Sequence, residues 1–175
     1  LAARLSLLKA KAAVNDHPES LIIAADTLVV LDGKVMGKPR SESDARQMLL
    51  RLRGRQHLVY SGLTLLDLEH HRRAVEVAKT AVYMRYYSEK EIHRYIASGD
   101  PMDKAGAYAI QHQGFSPVAH IEGCYANVMG LPMCHLYRAL FVWHIKAPVH
   151  PLDCCPLAVE KECPWAEPIL RSVAY

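Results

Sequence analysis

The sequence predicts an α/β protein, on three observations. Leu21–Ala25 and Leu28–Leu31 are β-rich apolar runs on either side of Asp26 and Thr27, and Asp32-Gly33 follows directly. A continuous apolar run bounded by turn signals reads as a buried strand, and Asp-Gly reads as a type I′ hairpin turn, whose two central residues need positive φ. Next, Gln56–Leu68 and Ala74–Tyr87 read as two long strands joined by the short polar turn Glu69–Arg73, an antiparallel hairpin. Finally, Ser41-Glu42-Ser43-Asp44 and Ser88-Glu89-Lys90-Glu91 are capping boxes, each opening a helix.

Taken in order, Leu1–Val14 places Leu5, Leu8, Ala12 and Ala13 at helical spacing with Lys9 and Lys11 among them. Asn15–Ser20, with Pro18, is the loop into the first strand. The helix opened at Ser41 runs to Leu52, with Ala45, Met48, Leu49 and Leu52 as its apolar stripe, and Gly54 stops it. The next strand carries a small-residue interruption at Ser61-Gly62. After the hairpin, whose charged turn reads as a solvated tip, the Ser88 helix runs to Ser98 and Gly99 closes it. Asp100–Gln111 is rich in small residues, with two acids, a lysine and an amide, and irregular segments of this kind often carry function. Val118–Ile121 reads as a short strand, Asn127–Gly130 as a turn, and Leu131–Trp143 as a helix with Leu136, Leu140 and Trp143 on one face. Residues 146–175, rich in proline and cysteine, read as an extension packed loosely on a domain spanning 1–145.

Composition narrows the function classes. The 175 residues fit one domain with a sizeable core, and 51% hydrophobic with 22% charged residues is ordinary for a globular protein. No apolar run reaches the roughly 18 residues of a membrane helix, and Leu1–Val14 lacks the pattern of a signal peptide. A net charge of +3, with scattered basic residues, argues against a nucleic-acid partner. Five cysteines without a C-x-x-C pair favour reduced thiols and a cytoplasmic location. His150, Cys154, Cys155 and Cys163 are the nearest approach to a zinc set.

Asp26 is the most informative single residue. A carboxylate inside a sheet-forming segment is costly unless something compensates. A metal, a lysine such as Lys38, or hydrogen bonds could each do so.

Several separated motifs then match one family. They are A-A-D-T (Ala24–Thr27), L-D-G-K-V-M-G-K-P (Leu31–Pro39), the R-L-x-G-R-x-H run (Arg51–His57), the D-K-A-G-A-Y-x-I-Q stretch within Ser98–Gln111, and I-E-G-x-Y-x-N-V-x-G-L-P (Ile121–Pro132). Together they resemble the Maf family of nucleoside triphosphate pyrophosphatases over roughly residues 1–141. The resemblance implies a fold related to the inosine-triphosphate pyrophosphatases, an elongated mixed sheet with flanking helices and a cleft. It implies hydrolysis of a nucleoside triphosphate to the monophosphate and pyrophosphate, a house-cleaning activity linked to arrest of cell division. The D-K-A-G-A-Y-x-I-Q form is similar to the branch acting on dTTP and UTP.

Residue by residue, Asp26 matches the family's proton acceptor and would also hold the divalent cation, Mg²⁺ or Mn²⁺. Thr27 and Gln111 match positions that set base specificity. Lys9 matches the lysine of the first helix, Lys38 that of G-K-P, and Asp103 and Lys104 the D-K pair. Elementary chemistry agrees with these roles. Water must be aimed at phosphorus by a carboxylate, lysines neutralise a triphosphate as point charges, and an amide suits a pyrimidine edge. Singly, Lys9 and Lys104 would read as surface lysines, Gln111 as a loop amide, His57 as a strand residue and Glu122 as a turn carboxylate; the joint pattern lifts the first three.

Two departures stand against the family pattern. Its first strand and S-x-S-P-R-R phosphate loop do not occur in this chain, which is expected to be shortened at its front. The tail after Val142 has no counterpart. The alternative reading is a catalytically impaired nucleotide-binding or division-control module. The expected partner is a nucleoside triphosphate, with no membrane or nucleic acid, and a homodimer is compatible with either reading.

Overall fold

A computed structural model of the chain describes residues 1–160 and 162–172. Its elements are α1 (Ala2–Val14), β1 (Ile22–Leu31), β2 (Lys34–Met36), α2 (Glu42–Leu52), β3 (Gln56–Asp67), β4 (Arg72–Met84), α3 (Glu89–Ala97), β5 (Val118–Glu122), α4 (Tyr125–Met129), α5 (Met133–Val142), α6 (Pro151–Cys154), α7 (Pro156–Glu160) and α8 (Ala166–Arg171). The strands form one five-stranded sheet in the order β2-β1-β3-β4-β5, and its outer pairs, β1–β2 and β4–β5, are antiparallel. The expected α/β class therefore holds. So does the first hairpin: Leu31 pairs with Lys34 across Asp32 and Gly33, at φ 51° and 74°.

The chain divides into two compact units. One comprises Leu1–Thr27, Ser61–Lys79 and Gly123–Tyr175, and the other Leu28–Tyr60 and Thr80–Glu122.

In the first unit, β1 and β3 are covered on both faces, which is why they read as unbroken apolar runs rather than alternating ones. Ile22 and Leu66 pack with Ala10 and Val14 of α1. Leu21, Ala25, Leu63 and Leu65 pack with Leu136, Ala139 and Leu140 of α5. Even-numbered positions of both strands thus face α1 and odd-numbered ones face α5, as the period of two requires.

The helix α1 does not use the stripe its leucines suggest. It buries Ala2, Ser6, Ala10 and Val14, while Leu8 is 54% exposed. The reason is Gly62: a Cβ there would lie 2.3 Å from the Ala2 carbonyl, so backbone meets backbone and only small side chains fit between helix and sheet. Ser6 and Thr64, both fully buried, close this interface with a hydroxyl pair at 2.8 Å.

Three other expectations change. Asn127 lies within the short helix α4, which ends at Gly130. Arg72 is no solvated turn residue: it bonds Asp67 at 2.6 Å and lies over the Trp143 ring, 4.9 Å from its centroid. The residues after Lys146 fold into three short helices, of which α6 and α7 begin at Pro151 and Pro156, where a missing N–H costs nothing. They are anchored: Cys155 is buried with Cys124 and Ala126, and Arg138 of α5 pairs with Glu76 and donates to the carbonyl of Ile169 in α8 at 2.8 Å. Lys161 and residues 173–175 of this segment lie outside the described residues.

In the second unit, α2 and α3 pack together over a core that includes Leu49, Leu52, Tyr87 and Ile92. Tyr87 is wholly buried, and its hydroxyl donates to the Leu49 carbonyl at 2.7 Å. The capping box of α3 is complete, with Ser88 Oγ accepting from Glu91 N and Glu91 accepting from Ser88 N. Ser88 N and Ser88 Oγ both donate to the Glu91 carboxylate and, together with Arg85, hold it down at about 2.

Candidate active site

The sequence-predicted residues fall into a group in each unit. In the first, Asp26 lies near the middle of β1 at an even-numbered position, so it points to the α1 side. Lys9, on α1, meets it there: Nζ is 2.6 Å from Asp26 Oδ1 and donates to the Ala25 carbonyl at 3.3 Å. The carboxylate is 16% exposed and the lysine 58%, so the pair stands at the edge of the helix–sheet interface with its cation in solvent. Of the compensations open to a carboxylate here, an ion pair with a lysine is realised, and the lysine is Lys9.

Thr27, one residue on, faces the other way. Its hydroxyl lies 2.7 Å from Ser61 Oγ and 3.3 Å from the Gly130 carbonyl, and Ser61 reaches the Asn127 carbonyl at 3.2 Å. Two hydroxyls own only two protons. One proton occupies the short Thr27–Ser61 contact, so one of the two longer carbonyl contacts goes without a dedicated donor. The network ties β1 and β3 to α4 and its C-terminal glycine. Sequence reasoning missed Ser61 and Asn127 as members of this network; the small-residue break in an apolar strand was the available signal for the first.

In the second unit, the segment after α3 makes two 3-10 turns, Asp100–Asp103 and Ala105–Ala107. Lys104 stands between them with Nζ 2.7 Å from Asp103 Oδ1, 3.1 Å from Asp100 Oδ1 and 2.7 Å from the Asp100 carbonyl. Burial alone would lower the Lys104 pKa, but the bonds to Asp103 and Asp100 outweigh it and raise it. Asp103 is held below the ordinary carboxylate range by the Lys104 bond and charge, with a smaller contribution from the nearby Lys38. Lys38, Asp103 and Lys104 therefore form one charged group. Gly106 N–H donates to the Gly37 carbonyl at 3.0 Å, which fixes the D-K-A-G-A-Y turn beside G-K-P.

Two buried anchors support this turn. Tyr95 donates to Asp100 Oδ2 at 2.7 Å while accepting from Ala109 N at 3.0 Å. His57, 2% exposed, has Nε2 2.7 Å from the Tyr108 hydroxyl, and burial pulls its pKa down to about 4. His57 is thus a clamp on the turn as well as a strand residue. Gln111 lies just beyond, exposed in a turn of its own.

Comparison with known proteins bears on this arrangement. A family model described as Maf-like protein matches residues 1–142. The chain belongs to the Maf family. Its relatives there include the dTTP/UTP pyrophosphatase of Carboxydothermus hydrogenoformans, 50% identical over 143 residues, which are 82% of this chain and 77% of that protein. The dTTP/UTP pyrophosphatase of Dictyoglomus thermophilum is 48% identical over 135 residues, 77% of this chain and 70% of that protein. That of Syntrophomonas wolfei is 47% identical over 139 residues, 79% and 74% of the two chains. The stretch matched to the Maf model holds all seven residues considered above, whereas α6, α7 and α8 lie beyond it. No helix among the described residues is long and apolar enough to cross a membrane.

Proposed function

We propose that this chain is a nucleoside triphosphate pyrophosphatase that hydrolyses dTTP- and UTP-like nucleotides to the monophosphate and pyrophosphate, clearing non-standard nucleotides in the cytoplasm. The observation that supports it best is the Lys9–Asp26 pair, a largely withdrawn carboxylate fixed at 2.6 Å by a cation, at the position matching the family's proton acceptor. A carboxylate so held can take the proton of a water attacking the α-phosphorus, and Lys9, more than half exposed, remains open to a phosphate oxygen. In the second unit, Lys38 and Lys104 offer ammonium groups suited to phosphate oxygens, with Asp100 and Asp103 aiming that of Lys104. Gln111 offers both a donor and an acceptor to a pyrimidine edge. Thr27, whose hydroxyl is already engaged, serves by holding the α4 segment in place.

A divalent cation belongs to this reading. Among the described residues, no group of three or more His, Cys, Asp or Glu side chains is arranged to hold a metal by itself. A lone carboxylate fits Mg²⁺ or Mn²⁺ nonetheless, because Mg²⁺ keeps several waters and binds through one or two carboxylates together with substrate phosphates. Asp26 would hold it, and the ion would spread the charge developing on the phosphate oxygens.

The test is pyrophosphate release from dTTP, UTP and CTP with Mg²⁺. Turnover of dTTP and UTP that Asp26→Asn abolishes is the expected result. Nucleotide binding without turnover would replace this reading with that of a binding module.

A further inference from the structure

Four of the five cysteines converge on one small pocket in the first unit. Cys124 immediately precedes α4, Cys134 lies in the first turn of α5, Cys155 lies between α6 and α7, and Cys163 precedes α8; all four line the same cavity, beside Tyr125 and Trp165. The space enclosed is about 10 Å³. That is about one water-sized sphere, too little for an organic ligand. A metal is not favoured either, since no such group is arranged to hold one among the described residues. What a cluster of thiols around so small a space can accept is a bond of its own.

We propose that this cluster is an oxidation site, at which a hydroperoxide joins Cys155 to Cys163 through a disulfide. Exposure sets the order of events. Cys124, Cys134 and Cys155 are only 6%, 6% and 5% exposed, whereas Cys163 is partly exposed, so of the four an oxidant from solvent meets Cys163 first. The Cys163 thiolate attacks one peroxide oxygen, the O–O bond breaks, and a sulfenic acid forms as hydroxide, or the alcohol of an organic hydroperoxide, departs. Cys155 sulfur then attacks the sulfenic sulfur. The S–S bond forms, the S–OH bond breaks, and the hydroxide leaves as water with the Cys155 proton. In total, two thiols lose two electrons to one peroxide. Of the three buried thiols on the cavity, Cys155 lies nearest to Cys163 along the chain and closes the shortest loop, which makes it the resolving partner.

The position of Cys155 gives the bond a consequence. Cys155 packs against Cys124 and Ala126 at the start of α4. The same short helix and its C-terminal glycine present the Asn127 and Gly130 carbonyls that Ser61 and Thr27 engage, next to Asp26. A bond from Cys155 to Cys163 alters this packing and, through α4, the support of Thr27. For its effect on turnover, though not for the chemistry at sulfur, the proposal rests on the pyrophosphatase reading.

The experiment treats the full chain with hydrogen peroxide and maps the thiols by mass spectrometry. A Cys155–Cys163 peptide pair, lighter by two hydrogens and restored by dithiothreitol, is expected, with pyrophosphate release falling and recovering in step. Cys155→Ala should leave a Cys163 sulfenic acid that a 1,3-dione probe traps, and Cys163→Ser should abolish both the disulfide and the peroxide sensitivity. Cys154→Ser, an exposed neighbour outside the cavity lining, should change neither. Oxidation confined to Cys154, or a disulfide that leaves Cys163 reduced, overturns the proposal. Absence of pyrophosphatase activity in the reduced protein would instead fail the functional reading, with the mapping still deciding the sulfur chemistry.

Discussion

The Lys9–Asp26 pair separates what a residue does for the fold from what it does for chemistry. The lysine is 58% exposed, so its ion pair is worth less than about 1 kcal/mol of stability. Lys9→Ala should therefore leave the thermal midpoint nearly unchanged while weakening nucleotide binding, read as a raised KM for dTTP. Asp26→Asn keeps the shape of the side chain and removes the base. Its expected effect is a fall of about 10²–10⁴-fold in kcat, with melting by circular dichroism little altered. Equal losses of activity and stability in both variants would mean that the pair is structural.

At the scale of elements, Gly62 decides how α1 lies on the sheet. A methyl group there would sit 2.3 Å from the backbone of Ala2, with no flexible side chain to yield, so Gly62→Ala should destabilise the fold by about 3 kcal/mol or more. A urea titration checks this, and an unchanged midpoint would mean that α1 does not pack as described. Ser88→Ala is milder, removing the acceptor for Glu91 N at the start of α3 and costing about 1 kcal/mol. These two cases also show what the sequence made legible. The Ser88 capping box and the Asp-Gly hairpin are local: their chemistry lies within four consecutive residues, so Ser88, Glu91, Asp32 and Gly33 could be read directly. At Ser41 only half of the expected box forms, because the Asp44 carboxylate accepts from Arg40 N instead. The buried face of α1 is not local. Leu5 and Leu8 are the larger hydrophobes, yet the glycine opposite selects Ala2, Ser6 and Ala10, and nothing within the helix announces it. The same holds in the site. Asp26 and the lysines could be picked out by motif, but the pairing of Asp26 with Lys9, the Ser61 hydroxyl beneath Thr27 and the His57 clamp on Tyr108 all depend on residues brought together from afar. The three tail helices escaped because each is only four to six residues long, shorter than the period that would reveal it.

For the molecule as a whole, the perturbed groups predict two stages of acid destabilisation. His57 and His135 have folded-state pKa values of about 4, against 6.5 for an ordinary histidine, because burial disfavours their charged forms. Between pH 6.5 and 4 the unfolded chain takes up protons that the folded chain refuses, so stability falls across that window as pH is lowered and is complete above it. For His57, 2% exposed, the loss amounts to up to about 3 kcal/mol at about 1.4 kcal/mol per pH unit. Asp67, held mainly by the Arg72 hydrogen bond, and Glu91, held by Ser88, sit at about 2. They stabilise the fold above the ordinary carboxylate range and withdraw that contribution as pH falls from about 4 to 2. Chemical denaturation at a series of pH values should show both stages, and His57→Gln should shrink the upper one to the part that His135 contributes. A stability profile level from pH 7 to 4 would contradict the burial of these imidazoles.

The alternation along β1 has an outcome for inherited change. Because neighbours on an extended chain emerge from opposite sides, losing a single codon between Leu21 and Ala25 would rotate everything upstream by half a turn relative to Asp26. Keeping the apolar layers in place would then present the Thr27 hydroxyl to Lys9 and drive the carboxylate among the leucines of α5. Exchange of one amino acid for another is tolerable over much of this segment, but an odd-numbered insertion or deletion is not, and the spacing from Leu21 to Thr27 should be among the most rigidly kept lengths in the chain.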